Sequence, residues 1–329
     1  MGCPVYKNIA YNKQTGFGIS IGVGNVYLPV INFAPNKDVE ATPVNETTNT
    51  PKGLRRAVNI KDTVEGNATW NVDMVNIGYW TGLGFGGGVT AVAAGTSAST
   101  YTFFQSSNCQ LTSARFDVDK AGSLEAYQDM FATEYTLSAS DGLIEGSVTL
   151  SGSRQIAGAT FTPAITDTRV LTFANAKWYY GNTIGAAGAT IEIPVTDWSL
   201  TYRTGGEGKF QSGANYITRQ DLNYASLEIN MTRFFDGSSG ALVTRDNVYV
   251  EDGERGMRLV LTSDSDNVVA GTTPYMMTFG IPKVKLMTSE RTYNAGEQVV
   301  ETITGQGLVD DTSGAICEPV LISRNGLTF

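Results

Sequence analysis

The chain has 329 residues and a formal charge of −9, from 32 acidic and 23 basic side chains and no histidine. Lack of the commonest general base and transition-metal ligand excludes His-based triads and most zinc hydrolases. The acidic balance argues against tight, sequence-independent DNA binding, which needs Lys and Arg to neutralise phosphates.

The length favours two domains. A hydrophobic content of 41%, with 37 glycines, 15 tyrosines and 14 phenylalanines, suits globular β structure rather than disorder. Cys3, Cys109 and Cys317 are widely spaced and form no CxxC pair, so they read as free thiols in a reducing compartment. No signal peptide is expected at the N-terminus, and apolar runs fall short of the about 18 positions of a membrane span. Met1-Gly2-Cys3 lacks the Ser or Thr of an acylation signal, having Tyr6 instead.

In chain order, residues 17–24 and 25–33 read as a Gly-punctuated hairpin. Residues 34–52, with Pro35, Pro43 and Pro51, read as a long polar loop, a kind that is usually functional or ordered by a partner. Residues 65–74 alternate strictly. Gly66, Ala68, Trp70, Val72 and Met74 face inward, and Glu65, Asn67, Thr69, Asn71 and Asp73 face outward, the period of a half-buried strand.

Residues 75–85 are apolar and Gly-rich, a short helix or a buried turn. Residues 84–100 are a Gly/Ala/Ser/Thr tract expected to be a surface loop. Strands are expected at 101–105 and 111–119. Residues 123–131 suit a helix capped by Ser123, with a strand as the alternative. Residues 133–140 and 143–152 form a hairpin around Asp141-Gly142.

The second half repeats this order. Leu28-Pro29-Val30 falls on Ile193-Pro194-Val195, Phe33 on Trp198 and Ile19 on Ile184, all at an offset of 165. Residues 224–231 repeat the alternating strand at an offset of 157 (231 minus 74), with Ala57 on Ala214 and Ile60 on Ile217. A short helix is expected at 240–247. Met257, Leu259 and Leu261 fall on 101–105, while Pro282, Val284 and Leu286 fall on Ala114, Phe116 and Val118. A final hairpin of 298–306 and 315–324, turning at Asp310-Asp311, falls on 133–152. The sequence thus predicts a mainly β chain of two tandem antiparallel β-sandwich domains, 1–160 and 161–329, each with at most one short helix and long loops.

No motif makes a convincing active site, and no catalytic, cofactor-binding or metal-binding residue is expected. Gly84-Phe85-Gly86-Gly87-Gly88 lacks the ending and the βαβ setting of a phosphate loop. Asp117, Asp119, Asp129 and Glu134 suggest a glycosidase carboxylate pair, but acids on the wet face of strands are the simpler reading. Asp264-Ser265-Asp266-Asn267 lacks the Gly and closing Glu of a calcium loop and reads as a turn. Trp70 and Trp198 lie in the inward phase of their strands, so they read as core rather than as sugar platforms. Arg55-Arg56 is too little for nucleic-acid recognition.

Several stretches resemble the tail tube (major tail) proteins of long-tailed bacteriophages. They are Leu28-Pro29-Val30-Ile31-Asn32-Phe33, the polar loop and strand that follow, Ile281-Pro282-Lys283-Val284-Lys285-Leu286, Leu308-Val309-Asp310-Asp311, and the ending at Ser323-Arg324-Asn325. The resemblance implies tail-tube-type sandwich domains forming rings that stack into a hollow tube for DNA. A duplicated chain would close the ring as a homotrimer with pseudo-sixfold symmetry, a homohexamer being the alternative.

The resemblance also implies a virion location, tape measure and tail terminator or tip proteins as partners, and genomic DNA that passes without specific binding. Neither a membrane nor a cofactor is implied. Glu65, Asp73, Glu145 and Glu228 are the candidate lumen-facing acids. Lys37, Asp38, Glu40, Asn45, Glu46 and Asn49 are the candidate inter-ring loop. The competing expectation is a tandem sandwich module that binds glycans, as a virion decoration or adhesin.

Overall fold

The computed structural model describes residues 8–44, 56–94, 97–106, 110–120, 123–162, 169–181, 184–234, 254–269, 273–293, 298–325, 327 and 329. The chain is mainly β, with 65% strand against 6% helix, and its sheets are antiparallel.

Eight strands make one continuous sheet through both halves. In spatial order they are Asn36–Val44, Arg56–Asn71, Glu145–Gly152, the later part of Ser123–Ala139, Asp197–Arg203, Ser226–Phe234, Val300–Gly307 and the later part of Thr273–Thr292. Buried and wetter residues alternate along them, as the pleat requires when one face is covered. The covered face carries Trp70, Val148, Leu137, Leu200, Ile229 and Ile303.

A second layer packs over that face and makes the architecture sandwich-like. Over the first half it contains Val26–Tyr27, Asn8–Lys13, Ala114–Lys120, the early part of Ser123–Ala139, and Arg154–Ala157. Over the second half it contains Ile191–Ile193, Ala176–Tyr180, Arg255–Val269, the early part of Thr273–Thr292, and Glu318–Arg324. The two sets match partner for partner.

Their irregularities match too. Ala114 pairs with Met130 and Phe116 with Tyr127, a one-residue slip that recurs where Arg255 pairs with Val284 and Met257 with Ile281. Further along, Thr133 and Met287 are the extra residues at the second slip of each long strand. Bulges re-aim a strand and fix register. The two long strands therefore correspond at an offset of 154 (284 minus 130, and 287 minus 133).

The offset of 165 is found at Leu28 and Ile193: Val26 and Tyr27 pair as Ile191 and Glu192 do. The offset of 157 is not. Phe33 lies opposite Ala68, and Trp198 opposite Met231, giving 163 (231 minus 68). The difference of six is even, so facing survives although the residue partners change. Pairing also overturns two alignments further on. Arg255–Val269 answers Ala114–Lys120, and Thr273–Thr292 answers Ser123–Ala139. Val300–Gly307 and Glu318–Arg324 are not a hairpin, since both pair with Thr273–Thr292 instead.

Other local expectations change as well. Residues 123–131 are strand within Ser123–Ala139, where β partners on both sides override a weak cap. Residues 86–93 and 98–100, inside the expected loop 84–100, are strand: Gly86–Ala93 pairs with Ala98–Gln105 as a hairpin, and 101–105 are strand as expected. Residues 36–44 are strand rather than loop, and 264–267 lie inside Arg255–Val269. The helix expected at 240–247 lies outside the described residues.

The short apolar stretch is the helix Asn76–Phe85, buried along its whole length. Asp73 starts it, its Oδ1 accepting the Val75 and Asn76 N–H groups at 3.0 and 2.9 Å. Gly86 ends it in the left-handed conformation, φ 69°, which glycine adopts without a Cβ clash. Trp80 stacks on Trp70 of the long sheet at 4.6 Å and on Phe116 of the second layer at 5.9 Å.

The halves interlock. The hairpin 86–105 belongs to the first half but pairs with Glu318–Arg324, Val320 lying opposite Thr102. In return Phe329 packs against Tyr79 and Tyr101, each at 4.8 Å, and Phe103 at 5.5 Å. One buried cluster runs from Ile9 to Phe329.

Candidate functional site

The uncovered face of the long sheet is the most distinctive surface of the described chain. Rows of small polar side chains cross it from one half to the other. One row runs Asn71, Glu145, Ser138, Ser199, Asn230, Thr304; the next runs Thr69, Ser147, Thr136, Thr201, Glu228, Gln306. Directly opposed residues on neighbouring strands share a face and interact. At the junction of the halves Thr136 and Thr201 hydroxyls meet at 3.1 Å.

Acids outnumber bases on this face: Asp38, Glu40, Glu65, Glu134, Glu145, Asp197, Glu228 and Glu290 against Lys61, Arg203 and Lys285. Arg203 is engaged by Glu134 at 2.8 Å and Glu228 at 3.2 Å. The Asn230 amide, together with Arg203, holds the Glu228 carboxyl below its usual value. Arg203 is thus turned inward on the protein's own carboxylates. A polyanion meeting this face finds hydroxyls, amides and negative charge, with little to neutralise a phosphate.

Glu65, Glu145 and Glu228 all lie on this face and are exposed. Glu65 and Glu228 occupy equivalent places in the two halves, 163 apart. Asp73 does not belong with them. It is 3% exposed, because the strand ends at Asn71 and the chain turns into the helix whose first N–H groups Asp73 binds.

Of the candidate loop residues, Lys37, Asp38 and Glu40 sit on the strand Asn36–Val44, which pairs with residues 56–65 to form a two-stranded arm. Lys37 reaches Asp62 at 3.1 Å, and Lys61 reaches Glu40 at 3.5 Å. Asn45, Glu46 and Asn49 lie outside the described residues. The arm exposes Val39, Val58 and Ile60.

The suggested carboxylate pair dissolves on inspection. Asp117 is fully buried, paired to Arg115 at 2.7 Å and accepting the Gly24 N–H at 2.8 Å. Asp129, also buried rather than wet, binds Gln14, the Gly18 N–H and Ser153. Both carboxylates spend their lone pairs on holding loops to the second layer. All four tryptophans are fully buried, so none offers a stacking platform. Cys317 is a buried free thiol, and Cys3 and Cys109 lie outside the described residues.

The sequence signal for the site was the alternation itself. What sequence reasoning missed was that the wet phases of eight separate strands join into one face, since strand order is a non-local property. No family model matches the chain, and no curated protein matches its sequence.

Proposed function

We propose that the chain is a structural subunit of a phage tail tube, in which the long sheet curves into a ring wall with its polar face toward the lumen. The observation that carries this reading is the single antiparallel sheet that crosses both halves with one covered face and one hydroxyl-, amide- and carboxylate-lined face. A sheet of this kind serves as a wall: the core side gives rigidity, and the other side offers DNA no adhesive charge. In this reading Glu65, Glu145 and Glu228 line the lumen and Asp73 is a helix cap.

The recurring pairing scheme supports a chain worth two ring positions. Three copies would then complete a ring of pseudo-sixfold symmetry, with a homohexamer as the alternative. Rings stack into a tube in the virion, with a tape measure protein inside and terminator or tip proteins at the ends, and genomic DNA passes without specific binding. The role is structural rather than enzymatic.

Electron microscopy and native mass measurement of the purified protein test this directly. Hollow rings or tubes with three chains per ring are expected. A protein that stays monomeric at high concentration would sink the reading, and six chains per ring would replace the trimer.

A further inference from the structure

We propose that successive copies of this chain join by antiparallel strand addition, residues 287–293 of one copy pairing with residues 33–39 of the next in a register that the chain already displays internally. The proposal rests on the tube reading above and specifies its joint.

The long sheet has two unlike ends. At one end, from Leu286 to Glu290, the last strand pairs among the described residues only with Val300–Gly307. At the other, residues 33–40 pair, among the described residues, only with Arg56–Asn71. Open edges of this kind are templates for another chain.

The matching edges inside the chain are already joined. Ser123–Ala139 is the counterpart of Thr273–Thr292, and Asp197–Arg203 is the counterpart of residues 32–38. These two pair as Ala139 to Trp198, Ser138 to Ser199, Thr136 to Thr201 and Glu134 to Arg203. Carrying the joint over by 154 and 165 residues sets Tyr293 against Phe33, Thr292 against Ala34, Glu290 against Asn36 and Thr288 against Asp38. Because the same partners join the same way at each step, the contact is head-to-tail and closes into a ring when the rotation permits.

The residues exposed at the two ends fit this joint. At the internal joint the Thr204 N–H donates to the carbonyl of the bulge residue Thr133 at 3.0 Å. The counterparts of those threonines are Val39 and Met287, which are 39% and 57% exposed in the single chain. Tyr293, at the end of the same edge, is 67% exposed. Apolar side chains thus stand at the open joint where the internal one has threonine and alanine, as expected where association needs its own apolar burial. Pro35 takes the place of Leu200 and gives up one ladder donor, which is tolerated on an edge strand.

Directly opposed, non-hydrogen-bonded pairs bring Cα atoms to about 4.5 Å, within disulfide reach. The test is the full chain carrying Asn36→Cys with Glu290→Cys, oxidised under assembly conditions and run without reductant beside the unmodified chain. Covalent multimers ending at the mass of the closed ring are expected. The pair Asn36→Cys with Thr292→Cys, displaced by two residues, should give at least tenfold less.

Rings seen by microscopy without linkage of the in-register pair, or with equal linkage of both pairs, would overturn the joint and leave the tube reading standing. Absence of rings from the unmodified chain would overturn both. Met287→Lys supplies an independent check: it should leave the circular dichroism and melting of the monomer unchanged while abolishing ring closure. Normal rings from that variant would refute the proposal.

Discussion

Trp70 lies between the bare backbone of Gly146 on the next strand and the indole of Trp80 on the helix. A Cβ on Gly146 would stand 2.3 Å from the Trp70 ring, so the glycine is there to seat the indole. The corresponding place in the second half is filled by charge: Arg233, Glu301 and Arg291 stand where Trp70, Gly146 and Leu137 stand in the first. Glu301 is fully buried, meeting Arg233 at 2.6 Å and Arg291 at 3.3 Å. Removing one member of a buried ion cluster leaves uncompensated charge and costs about 3–5 kcal/mol. Glu301→Ala should therefore lower the denaturant stability of the chain by roughly that amount. A change below ~1 kcal/mol would mean that the arginines find water or another acceptor.

At the scale of elements, the helix Asn76–Phe85 depends on Asp73. Besides the two backbone donors, its Oδ2 accepts the Asn76 side-chain amide at 2.6 Å. Loss of an N-cap costs about 0.5–2 kcal/mol, and here an amide that is also buried loses its partner. Asp73→Ala should lower stability toward the top of that range without altering the charge of the polar face. The paired arm makes a different prediction. On the proposed tube reading its exposed Val58 and Ile60 suit contact with a neighbouring ring, so the double variant Val58→Lys, Ile60→Lys should form rings but few long tubes under the microscope. Unchanged tube lengths would remove the arm from the stacking contact.

These elements also show what the sequence made legible. Alternation marked Trp70, Val72, Ile229 and Met231 as core because a half-buried strand imposes period two on its own residues. The Leu28 and Ile193 correspondence was visible because the proline that follows each short strand leaves a local signature. Residues 123–131 misled because Ser123 and a mixed apolar pattern suit a first helical turn, and only strands distant in sequence decide otherwise. The strand at 101–105 was legible from its aromatic residues, but its partner Gly86–Ala93 was hidden by glycine and alanine, which carry little strand propensity. The offset of 157 failed because matching side-chain types sets the phase of a strand, whereas bulges and partners set its register.

For the whole molecule, the polar face is defined as much by scarce free cations as by acids. Thr136→Arg with Thr201→Arg, at the middle of the sheet, should leave the fold intact. On the proposed tube reading the unmodified chain does not hold duplex DNA, and the pair should give a protein that retains it at low salt and releases it as salt rises. Retention by the unmodified assembly at physiological salt would contradict a non-adhesive lumen.

The exchange between the halves bears on how the chain is made. The aromatic pocket of Tyr79, Tyr101 and Phe103 is completed by Phe329, and among the described residues the hairpin 86–105 finds its sheet partner only in Glu318–Arg324. During synthesis the first half is therefore complete as sequence long before it is complete as structure. Such long-range closure slows folding, yet it acts as a proofreading step. A polypeptide released early lacks the segments that finish its own beginning, and on the proposed tube reading it would present no finished wall for other copies to join.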